Sequence, residues 1–248
     1  MNKRKTHFGY QTIDVEEKTT RVGQVFNSVA NHYDLMNDLM SFGLHRLWKR
    51  LAVAKASVQP HHQVLDLACG TGDLSIQLAQ KLKSPGQLIL ADINNAMLNR
   101  GRARLVDAGI VKGVEFIQAS AEALPFHTNH FHCITIAFGL RNITDQAKAL
   151  TEMLRVLKPG GRVIILEFSK PISSHLNKIY DSYSFSVLPL LGKIICNDSE
   201  SYQYLAESIR MHPNQEDLKT LMCEAGFQRV DYQNILGGIV AIHRGFKF

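Results

Sequence analysis

Short apolar runs alternate with amphipathic stretches from about residue 63 to the end of the chain. Five runs have the length and apolar content of buried strands: QVLDLA, QLILADI, VEFIQ, HCITIAF and RVIILEF. Between them, apolar positions recur at helical spacing in DLSIQLAQKLK (73–83), NAMLNRGRARLVDAG (95–109) and DQAKALTEMLRVLK (145–158). Strands that alternate with helices predict an α/β fold with a mostly parallel, Rossmann-like sheet that carries helices on both faces.

Two segments depart from this alternation. The first sixty or so residues read as helices, and a stretch rich in Ser and Tyr interrupts the order after the fifth strand. A helix and the runs RVDYQNI and GIVAIHRGF follow, joined near Gly237 and Gly238, and they predict an antiparallel pair that completes seven strands. We therefore expect one domain in four parts: an N-terminal helical cover (1–60), a core (61–170), an inserted lid (171–212) and a terminal helix with two strands (213–248).

The composition narrows the class of protein. The 248 residues are 45% hydrophobic and 20% charged, which is ordinary for a globular domain. No run approaches the roughly 18 apolar residues of a membrane span, and no apolar stretch follows the basic start, so a cytoplasmic protein without a signal peptide is expected. The four cysteines lack metal-ligand spacing, so neither a disulfide nor a metal site is expected. The net charge of +6 favours an anionic partner, nucleic acid or a membrane surface, although a solvated basic surface explains it equally well.

The first strand leads into a glycine turn that favours one class of cofactor. VLDLACGTGDLS places Asp66 four residues before Gly70, and Gly70 and Gly72 let the backbone turn tightly and approach a ligand closely. A dinucleotide fingerprint requires Gly or Ala where this chain has Ser75. A carboxylate near the turn opposes a pyrophosphate but suits the sulfonium and ammonium groups of S-adenosylmethionine. The residues therefore favour S-adenosylmethionine over NAD.

Positions after the next two strands extend this pattern. Asp92 closes the second strand, 20 residues beyond Gly72 (92 − 72), where a carboxylate can accept hydrogen bonds from both ribose hydroxyls. ASAEALPF follows the third strand, with Ser120 and Ala121 expected on the adenine side. Each residue alone has a structural explanation, since Asp66 could cap a helix and Asp92 could pair with a nearby arginine. The combined order is what favours a cofactor site.

The motif FGLRN (138–142) sets Arg141 and Asn142 just past the end of the fourth strand. Ligands of open parallel sheets bind beyond the carboxyl ends of the strands, so both side chains are expected near the reacting group. NHYDLMND supplies Tyr33 and Asp34 as candidate bases or proton relays, with His32 beside them. A simple surface ion pair for Arg141 and purely structural contacts for Tyr33 and Asp34 remain open.

The chain resembles the ubiquinone/menaquinone biosynthesis C-methyltransferases, which are class I S-adenosylmethionine-dependent methyltransferases. LKPGGRVIILEF is similar to the strand-five signature of that superfamily, and the closer likeness rests on VFNSVANHYDLMNDLMSFGLHRLWK, DLACGTGDL, ASAEALPF, FGLRN and DSESYQYLAESIRMHPNQ. These segments span essentially the full chain. The resemblance implies cofactor contacts at Thr71, Asp92, Ser120 and Ala121. Many members have Ser where this chain has Ala137, so a hydroxyl contact is absent here.

The resemblance also implies a reaction, methyl transfer to a ring carbon of a prenylated quinol. The acceptor would be demethylmenaquinol, 2-polyprenyl-6-methoxy-1,4-benzoquinol or both. Ionising a phenol with a pKa of about 10 at pH 7 costs roughly 4 kcal/mol, and the Arg141 guanidinium would offset much of this cost while Asn142 orients the ring. The apolar lid residues would cover the prenyl chain or extend the core: Tyr180, Tyr183, Phe185, Leu188, Leu190 and Leu191.

Other functions and partners stay open at this point. The helix LHRLWKRLA carries Leu44, Leu47, Trp48 and Leu51 on one face, which would pack on the domain or lie on a membrane surface. Another small aromatic or lipid acceptor, contacts with other quinone-biosynthesis enzymes and an oligomer are all compatible with the sequence. An RNA-binding methyltransferase-like module is the alternative of another class, but no N-P-P-Y-type tetrapeptide follows the fourth strand, so no nucleic acid is expected.

The role of the FGLRN motif leads to a first prediction. Arg141→Ala is expected to leave the binding of S-adenosylmethionine intact and to lower turnover by roughly a hundredfold or more, because it removes a charge that acts in the transition state. Cofactor affinity and turnover measured on the same preparation check this. Loss of cofactor binding would contradict the role proposed for the motif.

Overall fold

The computed structural model describes residues 5–29, 35, 37–38, 41–84, 86–173, 177, 180, 182–187 and 199–248. A hairpin of two strands comes first, β1 (Lys5–Phe8) and β2 (Gln11–Asp14). Seven further strands form the central sheet: β3 (Gln63–Leu67), β4 (Gln87–Asp92), β5 (Val114–Gln118), β6 (Phe131–Ala137), β7 (Leu157–Phe168), β8 (Gln228–Ile235) and β9 (Val240–Phe246). The α-helices are α1 (Val15–Val29), α2 (His45–Ala56), α3 (Asp73–Ala79), α4 (Asn95–Asp107), α5 (Gln146–Val156), α6 (Ser199–Met211) and α7 (Gln215–Glu224).

The sheet has the strand order β5-β4-β3-β6-β7-β9-β8. Strands β3 to β7 are parallel, whereas β9 is antiparallel to both of its neighbours, β7 and β8. The predicted seven-stranded, mostly parallel sheet with a terminal antiparallel pair is confirmed. The chain reverses its direction of travel across the sheet between β3 and β6, and such a switch point opens a crevice at the carboxyl ends of the strands.

The central strands β3, β4, β6 and β7 are mostly apolar and buried because both faces of the sheet are covered. Adjacent strand residues such as Val64 and Leu65 point to opposite faces and belong to two separate cores. One core includes side chains of α2, α3 and α6, and the other includes side chains of α5 and α7. The helices predicted on both faces are therefore present.

The N-terminal segment differs from the helical cover that the sequence predicted. Residues 5–14 form a hairpin with Gly9 at a φ of +56°, and the helical residues of the described part of this segment begin with α1. A two-residue turn that begins with Gly favours a hairpin, and each strand of four residues is too short to show a period. The hairpin is held by Phe8, whose ring stacks on Tyr204 of α6 at 4.2 Å.

The run Pro159-Gly160-Gly161 is typical of a turn between a helix and a strand, but these residues lie inside β7. Leu157 pairs with Phe131 and Arg162 pairs with Cys133, so residues 158–161 bulge opposite a single residue of β6. Gly160 has a φ of +79°, which glycine adopts without strain. The strand therefore begins five residues earlier than the apolar run RVIILEF indicates.

Much of the predicted lid lies outside the described residues. Leu188, Leu190, Leu191 and the side chain of Tyr183 belong to that part. Where the lid segment is described, Tyr180 is buried, Phe185 is exposed and α6 is a core helix with Tyr202 and Leu205 fully buried. The division of the chain into cover, core, lid and terminal parts stays a prediction.

A histidine at the amino-terminal end of β3 is expected to make the stability of the fold sensitive to acid. His62 precedes β3, stacks on His132 at 4.7 Å and accepts a hydrogen bond from the backbone N–H of Gln59. Burial, together with the positive charges of His132, His61, Arg162 and Lys158, lowers the pKa of His62 from 6.5 to about 4. A lowered histidine pKa favours the neutral folded form, so stability present above pH 6.5 is lost as the pH falls towards 4.

We expect His62→Gln to lose less stability than the wild type between pH 7 and pH 5. Urea unfolding at the two pH values measures the difference. An equal loss in both proteins would contradict the assignment to His62.

Candidate functional site

A cavity lies at the carboxyl ends of β3, β4 and β6, at the switch point of the sheet, and α1 covers it. Its walls come from the segments after four strands and from one helix: Ala68 and Gly70, Asp92 to Asn94, Ala119 to Glu122, Ala137 to Gly139 with Asn142 to Thr144, and Thr19, Val22, Gly23 and Phe26 of α1. Five of the residues predicted from the sequence meet here: Gly70, Asp92, Ser120, Ala121 and Asn142. Residues of α1 were missed because the helix carries no cofactor motif.

Asp92 is placed as the sequence predicts, at the end of β4 on the cavity wall. Its Oδ2 accepts a hydrogen bond of 2.9 Å from the Gly70 N–H, and its Oδ1 accepts one of 2.8 Å from the Asn94 N–H. Burial raises the pKa of the carboxyl, although these backbone hydrogen bonds oppose the change. Each carboxylate oxygen can accept a further hydrogen bond, which suits a ligand with two neighbouring hydroxyls.

Asp66 lies under the glycine turn, and it does not line the cavity. The carboxylate is 1% exposed and accepts hydrogen bonds from Ser75 Oγ at 2.5 Å and from Thr135 Oγ1 at 2.8 Å. Burial raises the pKa of Asp66 to about 6, against the effect of these two hydroxyls. Its visible role is to join β3, α3 and β6, and a direct contact with a ligand stays a prediction.

Thr71 and Gly72 face α4 and not the cavity. Thr71 Oγ1 accepts a hydrogen bond of 2.7 Å from Arg104 Nη1, and a Cβ at Gly72 would lie 2.9 Å from Leu105. The next residue, Asp73, forms ion pairs with Arg104 and with Lys49 of α2. Burial alone would raise the pKa of Asp73, but the charges and hydrogen bonds of Lys49 and Arg104 outweigh it and lower the pKa to about 2. The turn is thus tied to two helices.

Arg141 takes part in a buried ion pair that the sequence did not reveal. Its Nη1 donates to Glu167 Oε1 at 2.7 Å and to the carbonyl of Phe138 at 2.5 Å. Its buried Nε has no hydrogen-bond partner among the described residues. Glu167 lies near the end of the apolar strand β7. A carboxylate at a strand end is the sequence feature that identified Asp92, and the same feature could have identified Glu167. Arg141 therefore forms a buried ion pair, and the simple surface ion pair left open by the sequence is wrong.

Asn142 is oriented by a residue that sequence reasoning missed. Tyr204 of α6 donates a hydrogen bond of 3.0 Å to Asn142 Oδ1. Burial raises the pKa of Tyr204 well above its usual value of 10, although the charge of Arg141 opposes this, so the hydroxyl remains a donor at neutral pH. The bond leaves the amide group of Asn142 as a donor at the cavity wall. Tyr33 and Asp34, the predicted bases, lie outside the described residues.

Two residues of the cavity wall have strained backbones. Ala68 and Phe138 follow the neighbouring strands β3 and β6, and their φ angles are +50° and +58°. Such angles are costly for residues other than glycine and cluster at functional sites. Gly139 packs against Ala68 so closely that a Cβ at position 139 would lie 2.6 Å from the Ala68 Cβ. No residue type in the sequence signals this contact.

The chain is similar to known methyltransferases along its whole length. A family model described as the ubiE/COQ5 methyltransferase family matches residues 14–247. The ubiquinone/menaquinone biosynthesis C-methyltransferase UbiE of Proteus mirabilis (strain HI4320) is 58% identical over 247 residues, which is 100% of this chain and 98% of that protein. The protein of the same name from Pseudomonas aeruginosa (strain LESB58) is 60% identical over 242 residues, 98% of this chain and 94% of the relative.

Solved structures share the fold at low sequence identity. A SAM-dependent methyltransferase from Thermotoga maritima superposes with a TM-score of 0.64 at 20% identity, covering 92% of this chain and 100% of that one. At this identity the likeness concerns the fold alone.

The close approach of Gly139 and Ala68 predicts a rescue experiment. Gly139→Ala is expected to lower the free energy of unfolding by about 1–3 kcal/mol and to weaken cofactor binding, because the two methyl groups cannot both fit. Ala68→Gly in the same chain removes the opposing Cβ at a backbone angle that suits glycine, so it should restore both properties. Thermal unfolding and calorimetric titration with S-adenosylmethionine measure them. A double variant as impaired as Gly139→Ala would contradict the contact.

Proposed function

Because the chain belongs to the ubiE/COQ5 methyltransferase family, we propose that it transfers a methyl group from S-adenosylmethionine to a ring carbon of a prenylated quinol. The acceptors are demethylmenaquinol, 2-polyprenyl-6-methoxy-1,4-benzoquinol or both, in menaquinone and ubiquinone biosynthesis. The observation that carries the proposal is that one cavity at the switch point of the sheet is lined both by Asp92, at the end of β4, and by Asn142, of the FGLRN motif. Relatives at 58–60% identity that carry the name UbiE support it.

The cavity residues fit S-adenosylmethionine. The Asp92 carboxylate suits the ribose hydroxyls, and Ile93, Ala121 and Phe26 supply apolar surface for an adenine ring. S-adenosylmethionine, when bound, supplies an electrophilic methyl group. The protein has to orient that group, exclude water and make the acceptor carbon nucleophilic.

Arg141 and Asn142 are proposed to activate the acceptor. A quinol carbon attacks after the neighbouring hydroxyl loses its proton, at a cost of roughly 4 kcal/mol for a phenol at pH 7. The amide of Asn142, at the cavity wall, is a donor that can stabilise the resulting oxygen. The Arg141 guanidinium is not among the residues that line the cavity, so it would act through its charge or through a water. Glu167 offsets part of the guanidinium charge, and it also holds the side chain in place. Tyr33 and Asp34 remain the proposed proton acceptors.

A variant that replaces both Arg141 and Glu167 tests the proposed activation of the acceptor without leaving a buried charge unpaired. Arg141→Ala alone leaves the Glu167 carboxylate buried without its partner, which costs about 3–5 kcal/mol, whereas replacing both partners by apolar residues is often tolerated. We expect the double variant Arg141→Met/Glu167→Met to fold and to bind S-adenosylmethionine with wild-type affinity. Its turnover should fall by roughly a hundredfold or more.

Turnover is measured as the incorporation of label from methyl-labelled S-adenosylmethionine into a reduced demethylated benzoquinol and into demethylmenaquinol. The quinol that takes up the label is the acceptor. The matched control is Arg244→Met/Asp231→Met, which removes an ion pair between β9 and β8. This control should retain wild-type turnover. A folded double variant at 141 and 167 with normal turnover would refute the proposed activation, and no label in either quinol with wild type would refute the acceptor class.

A further inference from the structure

Helix α2 carries apolar side chains on its outer side as well as on its inner side. Trp48 and Ala52 face the core and are at most 2% exposed. Leu44, Leu47 and Leu51 were predicted to share a face with Trp48, but they are 37%, 52% and 39% exposed. Their spacing of three and four residues places them along one side of the helix. The inner face packs on the domain, and these leucines form a stripe exposed to solvent.

Positive charge borders the leucine stripe. The helix sequence HRLWKRLAVAKA contains four Lys or Arg residues and no Asp or Glu. Its exposed residues Arg46 and Arg50 line a groove towards α3, together with Lys81 and Arg104.

The acidic residues nearby do not cancel this charge. Asp73 is the carboxylate of the groove, and it pairs with Lys49 and Arg104. Asp38 forms an ion pair with Arg46 and a hydrogen bond with His45. In the described ranges, Arg50 takes part in no ion pair. The outer face of α2 is therefore apolar along its middle and cationic at its border.

The turn before α2 adds apolar surface. Phe42 is 75% exposed, and its φ of +50° is a costly angle for a bulky side chain. Backbone strain of this kind persists where the surrounding structure enforces it and is common at functional positions. The strained turn holds an aromatic ring at the surface next to the leucine stripe.

We propose that the outer face of α2 docks the protein on a lipid bilayer with anionic headgroups. Leu47 and Leu51 would enter the boundary between headgroups and acyl chains, while Arg46 and Arg50 contact phosphates, the arrangement of an interfacial amphipathic helix. Within the described part of the chain, no helix has the length and apolar character to cross a bilayer, so association of this kind is peripheral.

The leucine stripe disfavours nucleic acid as the anionic partner, because Leu44, Leu47 and Leu51 offer no flat ring on which a base could stack, although the exposed ring of Phe42 lies beside them. Proteins that bind single strands stack bases on exposed aromatic rings beside basic residues. The aromatic residue of α2, Trp48, is buried against Phe138 and Phe168, with ring centroids 6.2 Å apart in both contacts. Since Phe138 lines the cofactor cavity, docking by α2 would bring that cavity near the bilayer. Docking rests on surface chemistry alone, so it does not depend on the proposed acceptor.

Vesicle sedimentation without any methyl acceptor tests the inference. The probes are vesicles of phosphatidylcholine alone and of phosphatidylcholine with about 30 mol% phosphatidylglycerol. Leu47→Gln/Leu51→Gln removes the stripe, and Arg46→Gln/Arg50→Gln removes the exposed charges. Val106→Gln/Val111→Gln is the matched control, because Val106 and Val111 are 54% and 66% exposed and lie elsewhere.

We expect the wild type to bind the anionic vesicles and to be released by salt. The leucine variant should bind at least about tenfold more weakly, the arginine variant roughly thirtyfold more weakly, and the valine control like the wild type. Thermal unfolding should not change, because all substituted residues are exposed. Equal retention of the leucine variant, or no retention of the wild type, would overturn the proposal. Binding of single-stranded RNA that only the arginine variant loses would assign the face to nucleic acid and overturn it too.

Discussion

Asp66 carries a buried carboxylate near the end of β3, and the elements that form the cavity at the switch point of the sheet are joined through it. A buried carboxylate is costly unless hydrogen bonds satisfy its oxygens. Ser75 in α3 and Thr135 in β6 supply these bonds. The carboxylate therefore joins the first strand, the helix after the glycine turn and the neighbouring strand at the switch point. The glycine turn, which contains Gly70, is therefore held in place by β3, α3 and β6.

The far wall of the cavity is organised around a second buried charge. Glu167 at the end of β7 receives the guanidinium of Arg141, which also donates to the carbonyl of Phe138. These bonds hold the FGLRN loop. Phe138, which precedes Gly139, and Ala68, which packs against it, both have left-handed backbone angles. Strain at the wall is thus compensated by a buried ion pair behind it. Tyr204 completes the arrangement because it fixes the amide of Asn142.

Helix α2 connects this site to the surface. On its inner side, Trp48 packs against Phe138, and Lys49 forms an ion pair with Asp73 directly after the glycine turn. On its outer side, it carries leucines with arginines at their border. One helix of twelve residues therefore contacts a residue of the cavity wall, the residue after the glycine turn and the solvent. A surface that docks there would lie close to the reacting groups, which suits an acceptor dissolved in lipid.

The sequence by itself determined the sheet, its covered faces and the strand ends that carry Asp92, Ser120 and Asn142, because the burial of both faces forces apolar runs between amphipathic helices. The same alternation did not show the hairpin of residues 5–14, whose strands are too short for a period. Contacts between residues distant in the chain decided the rest. Arg141 meets Glu167 only because β6 and β7 end side by side, and Asp66 turns inward because α3 and β6 supply its hydroxyl partners. Tertiary packing also set which face of α2 is buried. The sequence of the helix offers apolar residues on both sides, and the close fit of Trp48, Ala52 and Ala56 on the sheet left the leucines exposed.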